Sequence, residues 1–263
     1  MARRIGTAVV VGSLISLAPA AALAEHDHTF MMSDSRDPAS SEISAGVSIE
    51  AAQFDNGTYI GSYQGVLPQI SWMRGRFGAS ATIGLYHLEE NGLAVNGIGD
   101  AMATAHVTVW SNAAIETGVA MHVMVPTGSE LENLGMGHAM AMPSAWGVWR
   151  LHPVTLTASA GYNRALISLD GEHHDHGPMP LVDPMNLQEV AWNAGADVEL
   201  GAHVHVGGHL LGGIPIGMGI NRVVGGGRVA WGTSRVSTGA ELQLGLAGDP
   251  FSIRGVVETA LRF

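Results

Sequence analysis

The 263-residue sequence contains no cysteine and no lysine. Without cysteine the chain can form neither disulfide bonds nor thiolate metal sites, so backbone hydrogen bonds and packing must hold the fold together. All 12 basic residues are arginines, and the 23 acidic residues bring the formal net charge to −11. Because nucleic-acid binding needs a basic surface, we expect no nucleic acid among the partners of this protein.

Charged residues and long apolar runs are both scarce. Charged side chains make up 13% of the sequence, about half of the roughly 25% that is usual in soluble domains. Hydrophobic residues nevertheless reach 46%. No segment beyond the N-terminal region is apolar for the roughly 20 residues that a membrane-spanning helix needs. This combination favours a membrane protein built from strands.

The N-terminal region has the layout of a secretory signal peptide. Arg3 and Arg4 form a basic start, residues 7–17 are apolar, and Ala22-Leu23-Ala24 is a small-residue cleavage site. The apolar stretch is short for a spanning helix, although an uncleaved anchor is the alternative. We therefore predict a signal peptide over residues 1–24 and an exported protein. Residues 25–41 are polar and without periodicity, and we interpret them as a flexible leader or partial plug that contains His and Asp.

Residues 42–263 consist of segments in which apolar and polar residues alternate, as they do in strands with one face buried. In residues 115–125, for example, Val119, Met121 and Val123 oppose Ala120 and His122. About twelve such segments recur, an even number, as in single-chain bacterial barrels. They span residues 42–54, 60–73, 75–88, 98–110, 113–126, 138–151, 154–168, 187–200, 202–212, 218–231, 234–246 and 252–263.

The last segment resembles the closing strand of bacterial outer-membrane barrels. Its apolar face ends on Leu261 and Phe263, and its other face carries Arg254, Glu258 and Arg262. A terminal aromatic of this kind is read by the β-barrel assembly machinery, which is therefore an expected partner. We expect this segment to pair with residues 42–54, because pairing the first and last strands removes both edges of the sheet.

The connections between segments alternate in length. Compact turns are predicted at Arg74-Gly75, Ser111-Asn112, His152-Pro153, Gly201 and Gly232-Thr233, whereas longer loops are predicted at residues 89–96, 127–137, 170–186 and 213–217. Outer-membrane barrels have short periplasmic turns and longer outer loops, and residues 55–59 are the one outer connection that is too short for this pattern. Tryptophans flank the compact turns, as expected of an interfacial girdle. They are Trp72, Trp110, Trp149 and Trp231.

Together these patterns predict an all-β protein, an antiparallel transmembrane up-and-down β-barrel of about 12 strands of the outer-membrane type. Residues 42–263 form this single barrel domain. The expected location is the cell outer membrane, with outer-membrane lipid around the barrel.

Residues 97–165 contain four short motifs in a fixed order. They are Gly97-Ile98-Gly99-Asp100, Pro126-Thr127-Gly128, Gly135-Met136-Gly137 and Ala160-Gly161-Tyr162-Asn163. This order resembles the family called the putative MetA-pathway of phenol degradation proteins. The resemblance implies an outer-membrane barrel with transporter-like uptake of small, aromatic molecules. From the residues themselves, Gly97, Gly99 and Asp100 fit a turn at the barrel rim better than contact with a ligand.

Charged residues at strand positions whose side chains would point into the barrel are concentrated in the last strands. Charges on the lipid face are costly, so these side chains are expected to line the lumen or pore. Two interpretations are open, an ion-paired interior that fills a narrow barrel and a polar path for a solute. The residues are Asp197, Glu199, Arg222, Arg228, Glu241, Arg254 and Glu258.

Two groups of histidines are candidate metal ligands for Cu or Zn, because neutral imidazole suits both ions. Dense histidine tracts of this kind can bind metal. The first group is in a predicted outer loop, and the second shares one face of a predicted strand, where satisfied lumen residues are the alternative. The groups are His173, His174 and His176, and His203, His205 and His209. Met136, His138, Met140 and Met142 add soft ligands near another outer loop, which favours copper.

No motif of a serine-hydrolase elbow, a zinc protease or a phosphate-binding loop is present, so we expect no enzyme and no catalytic residues, with an outer-membrane hydrolase as the least favoured alternative. The favoured function is passage of a small solute, aromatic or hydrophobic, across the outer membrane. The competing function is a metal-binding outer-membrane protein that uses its His- and Met-rich outer loops.

Overall fold

A computed structural model describes residues 41–55, 60–166, 181–182, 184–201 and 203–263. Within this part of the chain the protein is a closed antiparallel β-barrel, as predicted. No helix in the described residues is long and apolar enough to cross a membrane. The predicted signal peptide, nearly all of the leader and the histidine-rich loop lie outside the described residues.

Fourteen strand segments form one sheet within the described residues. They are β1 (Ser41–Asp55), β2 (Ile60–Arg74), β3 (Phe77–Thr82), β4 (Leu85–Glu90), β5 (Leu93–Ile98), β6 (Ala101–Ser111), β7 (Ile115–Val125), β8 (Met140–Leu151), β9 (Val154–Ala165), β10 (Gln188–Glu199), β11 (Val204–Pro215), β12 (Arg222–Gly232), β13 (Val236–Ala247) and β14 (Phe251–Arg262).

Two of the barrel strands are interrupted. Both β3 and β4 pair with β2, one after the other, so they form a single strand broken at residues 83–84. β5 pairs with β4 and β6 pairs with β3, so they form a second strand broken at residues 99–100. The fourteen segments of the described chain therefore make twelve barrel strands, the number that the alternation predicted.

The barrel is closed by β1, which pairs with β2 on one side and with β14 on the other. Ser44 lies opposite Arg262 at one end of the β1–β14 pair and Phe54 lies opposite Phe251 at the other. The predicted pairing of the first and last strands is thus confirmed. In a membrane every backbone donor and acceptor needs a partner within the protein, and closure supplies those partners to strands that would otherwise be edges.

Side chains alternate between the two faces of the barrel wall. On β1, for example, Glu50, Ala52 and Phe54 are buried inside the barrel, whereas Val47 and Ile49 are exposed on the outside. The other strands show the same alternation, with Leu, Val and Ile dominating the exposed positions. The outer surface is therefore apolar, as contact with lipid requires.

The outer face becomes polar toward one end of the barrel. Gln64, His87 and Asn96 are cross-strand neighbours on β2, β4 and β5. His87 Nδ1 lies 2.8 Å from Asn96 Oδ1. Such a row of polar groups suits the boundary between lipid and water.

The two ends of the barrel have different connections. At one end the strands are joined by the short turns 75–76, 112–114, 152–153, 200–203 and 233–235. At the other end the connections include residues 126–139, 166–187 and 216–221. Trp72, Trp110 and Trp231 are exposed near the short turns, as expected of the predicted girdle, whereas Trp149 is half-buried. In outer-membrane barrels the short turns face the periplasm, which predicts the same orientation for the short-turn end here.

One predicted outer loop is wrong. Residues 89–96 are mostly strand, because β4 and β5 continue to a two-residue turn at Asn91-Gly92. Both turn residues have positive φ, 49° for Asn91 and 86° for Gly92. Asn-Gly is the preferred sequence for this tight hairpin turn, because these two residues tolerate left-handed backbone conformations. The turn signal was therefore in the sequence, and β2 accompanies the hairpin as far as this turn, where the Asn91 N–H donates to the Ile60 carbonyl at 2.9 Å.

A hydrophobic cluster fills the interior at the long-loop end. It combines inward-facing residues of the wall with loop residues that fold into the opening. We call it the outer apolar cluster. Its buried members are Ala52, Phe54, Tyr63, Tyr86, Leu88, Leu134, Leu181, Val182, Leu211, Val224 and Phe251.

The exposed position of Val257 gives a test of the lipid-facing surface. Val257 is 40% exposed on β14 and lies opposite Ile49 of β1. We expect Val257→Arg to lower the free energy of unfolding in lipid vesicles by about 2–4 kcal/mol, because the charge must enter hydrocarbon. Val257→Leu, which adds only apolar surface, is the matched control. Urea-induced unfolding followed by tryptophan fluorescence measures both, and equal stability of the two variants would contradict this orientation.

Candidate functional site in the barrel interior

The interior of the barrel contains a series of contacts between charged and polar side chains on β10–β14. Inward positions on these strands carry charged and amide side chains, whereas the outward positions beside them are apolar or small. Burial of a charge is costly unless a partner is available. In this barrel the partners meet across the narrow interior.

The first pair joins Asp197 of β10 to Arg228 of β12. Arg228 Nε donates to Asp197 Oδ1 at 2.8 Å, and Arg228 Nη2 donates to Asp197 Oδ2. The two strands are not neighbours, because β11 lies between them. The bond is possible because Gly207, which lies opposite both residues, presents no side chain. A Cβ at Gly207 would lie 2.2 Å from Asp197 Oδ1.

The second pair joins Glu189 of β10 to Arg222 of β12, nearer the long-loop end. Arg222 Nη2 lies 3.0 Å from Glu189 Oε1, and Arg222 Nη1 lies 3.6 Å from Asp249 Oδ2. Glu189 is fully buried and also accepts hydrogen bonds from the side-chain amides of Asn163, at 3.0 Å, and Asn186, at 2.6 Å. A glycine again occupies the intervening strand.

The third pair joins His209 of β11 to Glu241 of β13. His209 Nε2 lies 3.2 Å from Glu241 Oε1, and both side chains are almost completely buried. Gly226 of β12 lies between them, and a Cβ there would lie 2.6 Å from the His209 ring. A chain of polar contacts continues from Glu241, because Gln243 Nε2 donates to the same carboxylate.

Arg254 of β14 ends this chain of contacts and is fully buried. Its Nε donates to Gln243 Oε1 at 2.7 Å, and its Nη1 lies 3.4 Å from the Tyr63 hydroxyl. The guanidinium also lies over the Phe251 ring, with its central carbon 4.5 Å from the ring centre, a cation–π contact. Arg254 therefore connects the charged part of the interior to the outer apolar cluster.

Inward glycines explain how these networks form. In each of the three pairs the partners come from strands that flank a third strand, and that third strand has a glycine at the crossing point. Because the crossing position is empty, a side chain from one flanking strand can pass over the middle strand to the other. The glycines are Gly207, Gly213 and Gly226, and their crowding shows that a larger residue would displace the partners.

The remaining two predicted lumen residues lie at different levels. Glu258 of β14 is buried on the inner face, opposite Ser48 of β1 and Gly239 of β13. Glu199, by contrast, is exposed at the short-turn end of β10, where Oε2 lies 3.7 Å from His152 Nδ1. Glu199 has the inward parity of Asp197, but the strand ends there, so its side chain reaches solvent.

His203, which precedes β11, does not come together with His205 and His209 of β11. His203 is exposed and makes an edge contact with Trp231, 6.3 Å between ring centres, whereas His209 is paired with Glu241. A strand rises about 3.3 Å per residue, so His205 and His209 are separated by roughly 13 Å. In the described residues no group of three or more His, Cys, Asp or Glu side chains is arranged to hold a metal ion. His173, His174 and His176 lie outside those residues.

Three of the motifs from the middle of the sequence meet at the long-loop end. Asp100 accepts hydrogen bonds from the backbone N–H groups of Gly128, at 2.9 Å, and Met136, at 2.7 Å. Thr127 Oγ1 donates to the carbonyl of Gly99 at 2.7 Å. These contacts fold residues 126–139 back toward the barrel, where Leu134 joins the outer apolar cluster. The Gly-x-Gly-Asp and Pro-Thr-Gly motifs thus hold a loop at the rim, where the sequence predicted Gly97, Gly99 and Asp100 to lie.

A small cavity of about 50 Å³ lies between the ion pairs and the opposite wall. Its lining is mixed in character, because thioethers and an imidazole face amides, hydroxyls and the Glu189–Arg222 pair. Water-sized or ion-sized occupants fit this volume. The lining includes His122, Met142, Ser144, Asn163, Met185, Glu189, Asn193 and Arg222.

Several interior residues were missing from the sequence-based set. Glu189 has the same strand parity as Asp197, so parity together with charge would have found it. The same holds for Glu116, whose Oε2 accepts from Arg150 Nη2 at 2.7 Å between β7 and β8. Asn186 carries no such signal, because it lies in a loop without periodicity and meets Glu189 only after the loop has folded inward.

Comparison with known proteins identifies the fold and leaves the family open. No protein-family model and no curated protein sequence matches the chain. The resemblance to the MetA-pathway proteins therefore remains a prediction. Many solved structures do match, with very low sequence identity.

Three solved structures illustrate this similarity. The COG4313 outer-membrane channel from Pseudomonas putida F1 has a TM-score of 0.61 at 12% identity, over 87% of this chain and 97% of that one. The KdgM porin has a TM-score of 0.53 at 8% identity, over 83% of this chain and 99% of that one. The translocator domain of the autotransporter NalP from Neisseria meningitidis has a TM-score of 0.50 at 13% identity, over 87% of this chain and 90% of that one. This chain therefore has the fold of outer-membrane barrels.

The crossing at Gly207 can be tested by adding a single methyl group. We expect Gly207→Ala to lower the free energy of unfolding by about 1–3 kcal/mol, because the new Cβ displaces Asp197 from Arg228. Gly255→Ala is the matched control, since a Cβ at this β14 position meets no atom within 4 Å. Urea unfolding in lipid vesicles measures both variants. A loss at Gly207 no larger than that at Gly255 would show that the crossing tolerates a side chain.

Proposed function

We propose that this protein is an outer-membrane channel that allows a small apolar or aromatic solute to pass through a narrow interior. The closed barrel with an apolar outer face supports residence in the outer membrane, and a signal peptide over residues 1–24 would direct the chain there. The similarity of the fold to an outer-membrane channel and a porin supports passage through the barrel.

The outer apolar cluster is the observation that carries the choice of solute. At the long-loop end, where a solute would enter, the interior contains the aromatic rings of Phe54, Tyr63, Tyr86 and Phe251. An apolar or aromatic molecule gains free energy by leaving water for such surroundings, whereas a sugar would lose hydrogen bonds to water. The resemblance of residues 97–165 to the MetA-pathway proteins points to the same class of solute.

The size of the solute is limited by how completely the interior is filled. Eight strands leave room only for side chains and 16–18 strands enclose an aqueous channel, so twelve strands lie between these limits. Here the inner face is largely buried by ion pairs and by the outer apolar cluster. Of the seven charged residues predicted to line the lumen, six would therefore act mainly as a polar filling of the interior, whereas Glu199 lies at its short-turn end.

Two loops of the long-loop end would control access. Leu134 belongs to residues 126–139, and Leu181 and Val182 belong to residues 166–187, yet all three side chains are buried in the outer apolar cluster. Because loops are anchored by fewer contacts than strands, displacement of these side chains is the least costly way to open the barrel. Passage would then require a local movement of the loops and would leave the wall unchanged.

Leu134 and Leu131 provide a matched test of this arrangement. Both belong to the same loop, but Leu134 is 1% exposed and Leu131 is 98% exposed. We expect Leu134→Ala to raise single-channel conductance in a planar bilayer and to speed the uptake of a phenol-sized aromatic into proteoliposomes. Leu131→Ala should change neither. Faster uptake of pentose sugars than of aromatics by the unaltered protein would contradict the proposed solute class.

Recognition by the assembly machinery is a separate part of the proposal. Phe263 is exposed beside the short turns, and its N–H donates to the Ile43 carbonyl at 2.8 Å. We expect deletion of Phe263 to reduce the amount of folded barrel in the outer membrane while leaving the conductance of the assembled molecules unchanged. Phe263→Tyr, which keeps the aromatic ring, should assemble normally. The folded fraction is measured by heat-modifiable mobility on gels, and normal assembly of the deletion variant would refute the role of this residue.

A further inference from the structure

Methionines are segregated in one region of the interior. Six of the 13 methionines of the chain form a single cluster, in which Met124, Met136, Met140, Met142 and Met185 are buried and Met102 packs against them. The adjoining outer apolar cluster is larger but contains no methionine. Methionine is a flexible filler of irregular interior gaps, and its thioether sulfur is also a soft metal ligand. We call this group the methionine cluster.

The strand register builds one wall of the methionine cluster. Met102 of β6 lies opposite Met124 of β7, which in turn lies opposite Met140 of β8. In the next inward row His122 of β7 lies opposite Met142 of β8. Directly opposite side chains on one face have Cβ atoms about 5 Å apart. Three neighbouring strands therefore place four thioethers and one imidazole on a continuous patch.

Two loops complete the methionine cluster from above. Met136 is positioned by its backbone N–H, which donates to Asp100 Oδ2 at 2.7 Å. Met185 precedes Asn186, whose side chain is held by Glu189 and by both backbone groups of Ile220. The positions of both loop methionines thus depend on specific hydrogen bonds.

The cavity of about 50 Å³ described above lies against this cluster. Met142, Met185 and His122 all contribute to its lining. His122 is oriented by a contact of 2.8 Å between its Nδ1 and Thr104 Oγ1, while its Nε2 lies 3.4 Å from Ser144 Oγ, another lining group. Metal-binding histidines are commonly oriented in this way, with one ring nitrogen held by a neighbouring polar group.

The donor set selects the kind of ion. Thioethers are soft, neutral ligands that favour Cu(I) over hard cations such as Mg²⁺ or Ca²⁺, and imidazole is compatible with Cu(I). Neutral ligands do little to offset a double charge in a buried site, whereas a monovalent ion costs less to desolvate. The nearby Glu189 carboxylate is already paired with Arg222. It therefore adds little negative charge to offset the charge of a divalent ion in the cavity.

We propose that the methionine cluster and His122 bind one soft monovalent cation, Cu(I) or its redox-inert counterpart Ag(I), in the cavity between Met142, Met185 and His122. The side chains of this site differ from those proposed for the passage of an apolar solute. The site also differs from the histidine tract at residues 173–176.

The test uses the full mature chain in detergent micelles, with methionine methyl groups labelled with ¹³C. We expect addition of Ag(I) to shift the methyl resonances of Met142 and Met185 and to saturate at one equivalent. The resonances of Met121 and Met218 should not move, because these side chains are 44% and 91% exposed and lie outside the cluster. Leucine substitutions assign each resonance.

Affinity measurements on variants give a second readout. We expect Met142→Leu and Met185→Leu each to weaken Ag(I) binding at this site by about tenfold or more, and His122→Gln to weaken it as well, because each removes a ligand. Met121→Leu on the outer face of β7 is the matched control and should bind like the unaltered protein. Heat-modifiable mobility on gels verifies that each variant is folded.

Three results would overturn the proposal. The first is that Ag(I) leaves the Met142 and Met185 resonances unchanged. The second is that folded Met142→Leu and Met185→Leu variants bind as tightly as the control. The third is that Ag(I) binds only through the histidine tracts, which would show as binding that disappears when His173, His174 and His176 are replaced by Ala.

Discussion

The absence of water inside a membrane is the constraint on which the rest of this structure depends. Backbone N–H and C=O groups in hydrocarbon must find partners in the protein, so a sheet that crosses the membrane has to close on itself. Closure here depends on β1, which pairs with β2 and with β14. Once the sheet is closed, strand alternation assigns every side chain to lipid or to the interior, and the small diameter forces the inward groups against one another.

Glycines on the inner face allow specific ion pairs to form in this crowded interior. Charges that point into a narrow barrel cannot remain isolated, because burial without a partner is costly. Neighbouring strands alone would not bring Asp197 to Arg228 or Glu189 to Arg222, since another strand separates each pair. A glycine at the crossing point removes the obstacle. The 36 glycines of the chain thus include positions that create space for side-chain contacts.

The long-loop end of the interior divides into two chemically different parts. The outer apolar cluster is built from aromatic and aliphatic residues and includes loop side chains such as Leu134. The methionine cluster lies on β6–β8 and is completed by Met136 and Met185 from two loops. Asp100 links both parts, because it holds the loop that supplies Leu134 and Met136. A change in this loop would therefore affect access to the barrel and the geometry of the thioethers together.

The barrel, the number of strands and the closing pair were predictable from residue order, because alternation with a period of two is a local property of a strand. The inward orientation of Asp197, Arg228 and Arg254 followed from the same alternation. Which of those charges meet was not predictable, since the pairing depends on register across three strands. Nor were the different partners of two histidines on one predicted face, because His203 contacts Trp231 whereas His209 contacts Glu241. Only the tertiary structure assembled the methionine cluster, whose members are spread from residue 102 to residue 185 and come together only when the sheet closes and two loops fold inward.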